Sequence, residues 1–158
     1  MPRLILTRHA EAVPHHPSGD FHRPLTEFGI ATAQRLGAHL DKIGVVPDEI
    51  IASAATRTMQ TANAMGFLDP DAQRSLHNAP SETLLDSLRG AHGSCVLLVA
   101  HNPGIADAAL RFWGAAQLPP HLLYFHPATT VIFDLSSPWH DLNWTKATPV
   151  MAIDPSDL

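Results

Sequence analysis

Four residues in this chain join chemical capability to informative positions. Arg8 and His9 end a short apolar run, Leu4-Ile5-Leu6. Arg57 lies just beyond the run Glu49-Ile50-Ile51-Ala52-Ser53, and His101 directly follows Cys95-Val96-Leu97-Leu98-Val99-Ala100. Two arginines and two histidines, each arriving where an apolar strand ends, suit an anion with several oxygens. Arginine presents a planar fork that pairs with phosphate oxygens two at a time. A helix N-terminus, such as the one expected after His101, offers free N–H groups. A histidine nitrogen can attack phosphorus and carry the phosphoryl group covalently. The implied chemistry is phosphoryl transfer through a phosphohistidine, with the arginines in the charge-stabilising role that Mg²⁺ plays in kinases. For Arg8-His9 alone, a solvated strand end is the simpler reading; the other residues change that.

These residues must be positioned by strands alternating with helices. Residues 2–8 read as a strand, apolar on both faces. Residues 13–24, with three prolines, Gly19 and three histidines, read as a loop. Thr26 is the expected N-cap of a helix to about Ile43, with an apolar stripe of Ile30, Ala33, Leu36 or Gly37, Leu40 and Ile43. Gly44 suits the C′ position, with Pro47 just beyond. A short strand at Glu49–Ser53 is followed by a helix capped by Thr56 and running to about Met65. Residues 73–77 read as a short strand, and Ser81 as the cap of a helix from Glu82 to about Arg89. The run from Cys95 to Ala100 reads as a strand buried on both faces, as in a parallel sheet. Asn102 and Pro103 fit N-cap and N1 of a helix through about Trp113. Two late strands are expected near 129–135 and 143–150, the last antiparallel and at an edge. The alternation predicts an α/β fold: one domain over residues 1–158, a mostly parallel central sheet and helices on both faces. In such sheets ligands bind outside the carboxyl ends of the strands. Arg8, His9, Arg57 and His101 therefore converge if their strands are neighbours.

Composition narrows the function classes. The chain has 158 residues, 45% hydrophobic and 16% charged, within the range of globular domains and outside that of disordered chains. The formal net charge is −5, and the only lysines are Lys42 and Lys146. That balance argues against nucleic acid or an anionic membrane as partner. No apolar run approaches the roughly 20 residues of a membrane span, and Met1-Pro2-Arg3 leads into too few apolar residues for a signal peptide. The lone cysteine, Cys95, excludes an internal disulfide and reads as a buried core thiol. A cytoplasmic location is the simplest expectation. Eleven histidines are many for this length, and histidine is the side chain most readily used for proton transfer near neutral pH.

Four segments resemble, in order, the motifs of the histidine phosphatase (phosphoglycerate mutase-like) superfamily. Arg8-His9-Ala10 is similar to its "RHG/RHA" signature. Arg23-Pro24-Leu25-Thr26 with Gly29 resembles "RPLT…G", and the stretch from Ser53 to Ala62 resembles "SPxxRxxQTA", with Ala54 where proline is usual. His101-Asn102-Pro103-Gly104 is similar to the "HNPG" of the short, SixA-type phosphohistidine phosphatases. The resemblance spans about residues 3 to 104. It implies the three-layer phosphoglycerate mutase-like fold, with His9 as nucleophile and phosphoryl carrier. Arg8, Arg57, His101 and Asn102 become the phosphate-binding set, and no metal or other cofactor is implied. Two neighbouring arginines would keep His9 neutral, a hydrogen bond to a backbone carbonyl would fix its tautomer, and bound phosphate would favour a cationic His101. Glu82 is the best match to the carboxylate that protonates the leaving group in many members. As a first-turn helix residue it could instead sit there for the dipole alone.

Larger members carry insertions over the site, for which this chain has little room. An open pocket can admit a histidine presented on another protein, so the expected partner is phosphorylated protein histidine, or else a small phosphorylated substrate. A general or sugar-phosphate phosphomonoesterase is one alternative; a non-catalytic phosphohistidine- or anion-binding module is another. Arg23 reads as structural, paired with a nearby acid. Asp20 is a candidate for the pocket rim, and Ser53 and Gln60 for packing or hydrogen bonding. His15, His16 and His22 crowd one loop with Asp20, but their spacing matches no metal signature.

Overall fold

The computed structural model of the chain describes residues 1–114 and 117–158. Six strands form one sheet in the order β3-β2-β4-β1-β5-β6. They are β1 (Arg3–Arg8), β2 (Glu49–Ser53), β3 (Asp71–Gln73), β4 (Cys95–Ala100), β5 (Thr130–Leu135) and β6 (Ala147–Ile153). The helices are α1 (Glu27–Lys42), α2 (Thr56–Ala64), α3 (Ser81–Arg89), α4 (Gly104–Trp113) and the short α5 (Pro120–Leu123). Strands β1 to β4 are mutually parallel, β5 runs against β1, and β6 runs against β5. The last strand is thus at an edge and antiparallel to its neighbour, but β5 is the strand that opposes the rest.

Continuous apolar runs in β1 and β4 follow from burial on both faces. Leu4, Leu6, Val96, Leu98, Val131 and Phe133 meet Leu84, Leu85 and Leu88 of α3 and Ile105, Ala109 and Phe112 of α4. Ile5, Leu97, Val99 and Ile132 meet Ala33, Leu36 and Leu40 of α1 and Ala62 of α2. The result is the three-layer, phosphoglycerate mutase-like arrangement with a mixed sheet. Among the described residues, no helix is long and apolar enough to cross a membrane.

Several boundaries differ from the sequence reading, each for a local reason. Thr26 caps α1, its side chain accepting from the Gly29 N–H, and Gly44 adopts φ +78° just past the helix. Ile30 and Ile43, assigned to the apolar stripe, are partly exposed. Gly29 takes the buried place instead, because a Cβ there would lie 2.1 Å from the Glu11 carbonyl oxygen. The helix is thereby pressed against the segment that follows His9. Thr56, Ser81 and Asn102 are not N-caps. Thr56 and Ser81 are the first residues of their helices, behind Ala55 and Pro80. The Ser81 hydroxyl bonds the Asp107 carboxylate, and α4 starts at Gly104 behind Pro103. The strand expected at 73–77 ends at Gln73 and gives way to a tight turn at Arg74–Leu76. Cys95 is half-buried, and burial pushes its thiol pKa up.

Candidate active site

Neighbouring strands bring the four candidate residues together. Arg8 ends β1 and faces Ala100, the last residue of the adjacent β4. The chain continues alongside: the His9 N–H donates to Ala100 O at 3.1 Å. Arg57 stands in the first turn of α2, two residues beyond its cap, and His101 directly follows β4. The His9 and His101 ring centroids are 5.5 Å apart. His9, Arg57 and His101 are all buried, Arg57 with 2% of its surface exposed.

Motif residues away from the reacting groups hold these segments in place. The Ala10 N–H donates to Thr61 Oγ1 at 2.9 Å, and the Leu25 N–H to Gln60 Oε1 at 2.7 Å. Helix α2 thus ties down both the chain after His9 and the chain before α1. Gly104 lets α4 approach Ala79, whose carbonyl oxygen would be 1.9 Å from a Cβ.

Hydrogen bonding settles the state of His9. Its Nδ1 lies 2.7 Å from Ala10 O. A carbonyl oxygen only accepts, so Nδ1 carries the proton and Nε2 keeps its lone pair. Burial lowers the pKa of His9 to about 4; the Ala10 bond opposes this and the charges of Arg8, Arg57 and Arg23 add to it. His9 is therefore a neutral imidazole with one free basic nitrogen throughout the physiological range.

The surrounding donors are held but not saturated. Arg8 Nη1 donates to Phe125 O at 3.0 Å, while the buried Arg8 Nε has no partner. Arg57 donates from Nη1 to Asp20 O at 2.8 Å and from Nη2 to Asp20 Oδ2 at 3.1 Å and Asn78 Oδ1 at 3.2 Å, and its buried Nε is likewise free. His101 Nε2 is 2.7 Å from Ser53 Oγ, and Nδ1 is buried without a partner. Ser53 Oγ already accepts from the Ala55 N–H, so its hydroxyl hydrogen goes to Nε2 and the His101 proton to Nδ1, a third unpartnered donor. Buried donors without acceptors are costly, and a tetrahedral oxyanion would satisfy them. Burial, then Arg57 and the neighbouring histidines, lower the His101 pKa to about 2. The protein's own groups thus favour neutral His101, and a cationic form requires the negative charge of a bound phosphate.

Two candidates lie differently. Asn102 Nδ2 donates to Phe125 O at 2.9 Å, the carbonyl that also receives Arg8, so Asn102 braces the loop behind Arg8. The Glu82 carboxylate pairs with Arg111 at 2.8 Å and makes no hydrogen bond to Arg8, His9, Arg57 or His101. Among the described residues, no group of three or more His, Cys, Asp or Glu side chains is placed to hold a metal ion. In the 13–24 loop, His16 Nδ1 accepts from the Ser18 N–H instead. A separate cavity of about 370 Å³, lined by Glu11, Phe28, Arg35 and His126 among others, contains none of the four residues, so volume alone does not locate the chemistry.

The structure puts Asp20, the rim candidate, beside Arg57 and adds His77 and Asn78, which the sequence did not single out. Asp20 Oδ1 accepts from Arg23 Nε at 2.9 Å, and its Oδ2 from Arg57, from His77 Nε2 at 2.8 Å and from Asn78 Nδ2 at 3.2 Å. Burial pushes the Asp20 pKa up, but bonds from His77, Arg23 and Asn78 and the Arg57 charge outweigh it and hold the carboxyl well below the usual range. The available sequence signal was positional: His77 and Asn78 come shortly after β3, at the end of the sheet where His101 follows β4.

The histidine shifts carry a stability consequence. Unfolded histidines protonate near pH 6.5, whereas native His9 protonates near 4. Between these values the unfolded state binds more protons, so stability is complete above pH 6.5 and falls as pH drops toward 4. At pH 5 each such histidine removes up to about 2 kcal/mol. Thermal unfolding at pH 7 and pH 5 should show this drop, and His9→Asn should reduce it. The corresponding Asp20 window lies below its ordinary value of 3.8, outside that range.

Comparison with known proteins agrees with this geometry. The family model described as "Histidine phosphatase superfamily (branch 1)" matches residues 4–78. An uncharacterized chloroplastic protein of Arabidopsis thaliana is 30% identical over 131 residues, which is 72% of this chain; the chain spans 60% of that relative's length. The structure of SixA from Nakamurella multipartitia superposes with a TM-score of 0.87 at 24% identity, over 98% of this chain and 96% of that one. The protein histidine phosphatase SixA complexed with tungstate gives a TM-score of 0.81 at 17% identity, over 98% of each chain. The matched family segment holds Arg8, His9 and Arg57, and the SixA structures share the fold of this chain.

Proposed function

We infer that this chain is a phosphatase that takes a phosphoryl group onto His9 Nε2 and passes it to water, and that its substrates are phosphohistidines on other proteins. The observation that carries the reading is the free Nε2 of a neutral, tautomer-locked His9 beside the unpartnered buried donors of Arg8, Arg57 and His101. In the first step Nε2 attacks phosphorus and the leaving group departs with the bonding pair. Arginine and histidine donors take the charge on the equatorial oxygens. In the second step water attacks the phosphoryl group, His9 leaves as the neutral tautomer, and phosphate is released. No metal is assigned a part, because two guanidinium groups supply the positive charge.

The substrate class is supported by resemblance and by chemistry. One similar structure is of a protein histidine phosphatase, and its bound tungstate is a tetrahedral oxyanion. The carboxylate expected to assist a poor leaving group, Glu82, is engaged with Arg111, which disfavours alcohols more than imidazole.

The test sets a phosphohistidine-bearing protein beside a phosphoserine peptide and p-nitrophenyl phosphate. Faster turnover of the phosphohistidine is expected, with competitive inhibition by tungstate and no effect of chelator. Hydrolysis of the esters alone would replace the substrate class with phosphomonoesters. Tungstate binding without turnover of any substrate would make the chain a binding module.

A further inference from the structure

We propose that His77, held by Asp20, is the proton donor to the leaving group when the phosphoryl group moves to His9. This rests on the phosphatase reading and assigns it a residue that neither the motifs nor the comparisons supply. The tight turn after β3 carries His77 to the same end of the sheet as the reacting groups. Its ring stands edge-on to that of His101, with centroids 5.5 Å apart, and His101 is in turn 5.5 Å from His9. Phe21 packs at 5.1 Å from the His77 ring, and Arg74 lies over the Phe21 ring at 4.8 Å.

The hydrogen bonds select one nitrogen of His77. Asp20 Oδ2 is 2.8 Å from Nε2, and a carboxylate only accepts, so Nε2 carries a proton. The second nitrogen, Nδ1, has no hydrogen-bond partner among the described residues, and about a quarter of the side chain is exposed. With Nε2–H bonded to the carboxylate, Nδ1 is the nitrogen left to exchange a proton with the leaving group. The charged and titratable groups around the ring are Asp20, which also receives Arg57 and Arg23, then His101 and, across Phe21, Arg74. No neighbouring group can serve as the donor instead. Asp20 stays ionised, His101 faces the phosphate, and Glu82 is paired with Arg111.

The step balances. The His9 Nε2–P bond forms as the bond from phosphorus to the leaving nitrogen or oxygen breaks, and the leaving atom keeps the electron pair. It takes the Nδ1 proton, leaving His77 neutral. In the second half, water loses a proton to His77 Nδ1 as its oxygen bonds phosphorus, and the pair of the breaking P–N bond returns to His9. One water is consumed and no group changes oxidation state.

The experiment compares His77→Gln and His77→Asn with the unaltered protein on three leaving groups. A seryl oxygen needs a proton to leave, an imidazole needs less assistance, and p-nitrophenolate leaves without one. We expect kcat/KM to fall about 100-fold on phosphoserine, by less on phosphohistidine, and to stay within about threefold on p-nitrophenyl phosphate, giving a steeper dependence on leaving-group pKa. Retained tungstate binding and an unchanged melting temperature identify a folded variant. Equal losses on all three substrates, or no loss on any, would overturn the assignment while the phosphatase reading stands. Inactivity of the unaltered protein on all three would overturn both.

Discussion

Replacing His9 with alanine is expected to remove turnover almost completely, by a factor of about 10⁴ or more, because the residual rate then rests on binding and charge stabilisation alone. The size follows from the site. Nε2 is the free basic nitrogen of a histidine fixed by Ala10 and shielded from protonation down to about pH 4. His101 cannot substitute, since its Nε2 is engaged with Ser53 and its Nδ1 is the donor expected to face the phosphate oxygens. Quenching the unaltered protein with labelled substrate should trap an acid-labile, base-stable phosphoenzyme, and the His9→Ala variant should trap none. The variant should still bind tungstate, because Arg8, Arg57 and His101 remain. Normal turnover by this variant would refute the nucleophile assignment.

The nucleophile role came from the motif resemblance, but the convergence of these residues was already legible in the sequence, for a geometric reason. Arg8, His9 and His101 stand at or directly after strands whose apolar runs mark their ends without ambiguity; β2 and β4 have the expected bounds. Parallel neighbours then bring those ends together. What was not legible depends on irregular backbone. His77 and Asn78 reach the site because β3 is only three residues long and a tight turn follows it. A strand read four residues too far placed His77 inside regular structure. Asp20 sits in a loop closed locally by Arg23 and reaches Arg57 and His77, contacts between segments far apart in the chain. The misassigned caps share a cause as well. Ser81 and Asn102 are residue types that favour N-caps, yet tertiary partners, Asp107 and the Phe125 carbonyl, claim their side chains.

Arg57 gives the second large effect, because it serves the phosphate and the wall of the pocket at once. Its Nη1 and Nη2 hold the Asp20 carbonyl, the Asp20 carboxylate and Asn78, which leaves the buried Nε–H for a substrate oxygen. A lysine has one compact ammonium and no fork, so it can neutralise Asp20 or meet the phosphate but not both in this geometry. Arg57→Lys is therefore expected to lower kcat/KM by about 10²- to 10³-fold, the usual loss when one preorganised donor to a developing charge is removed. Arg57→Ala should lose at least as much and also reduce stability by about 1–3 kcal/mol, because buried polar partners are left unpaired. Asp20 keeps Arg23 and His77, so the alanine variant should remain folded at neutral pH. Tungstate affinity separates the two contributions. It should weaken in both variants, whereas a melting temperature lowered only in the alanine variant would show that the lysine still neutralises Asp20. A lysine variant with undiminished kcat/KM and tungstate affinity would mean that Arg57 supports the pocket wall and does not contact the phosphate.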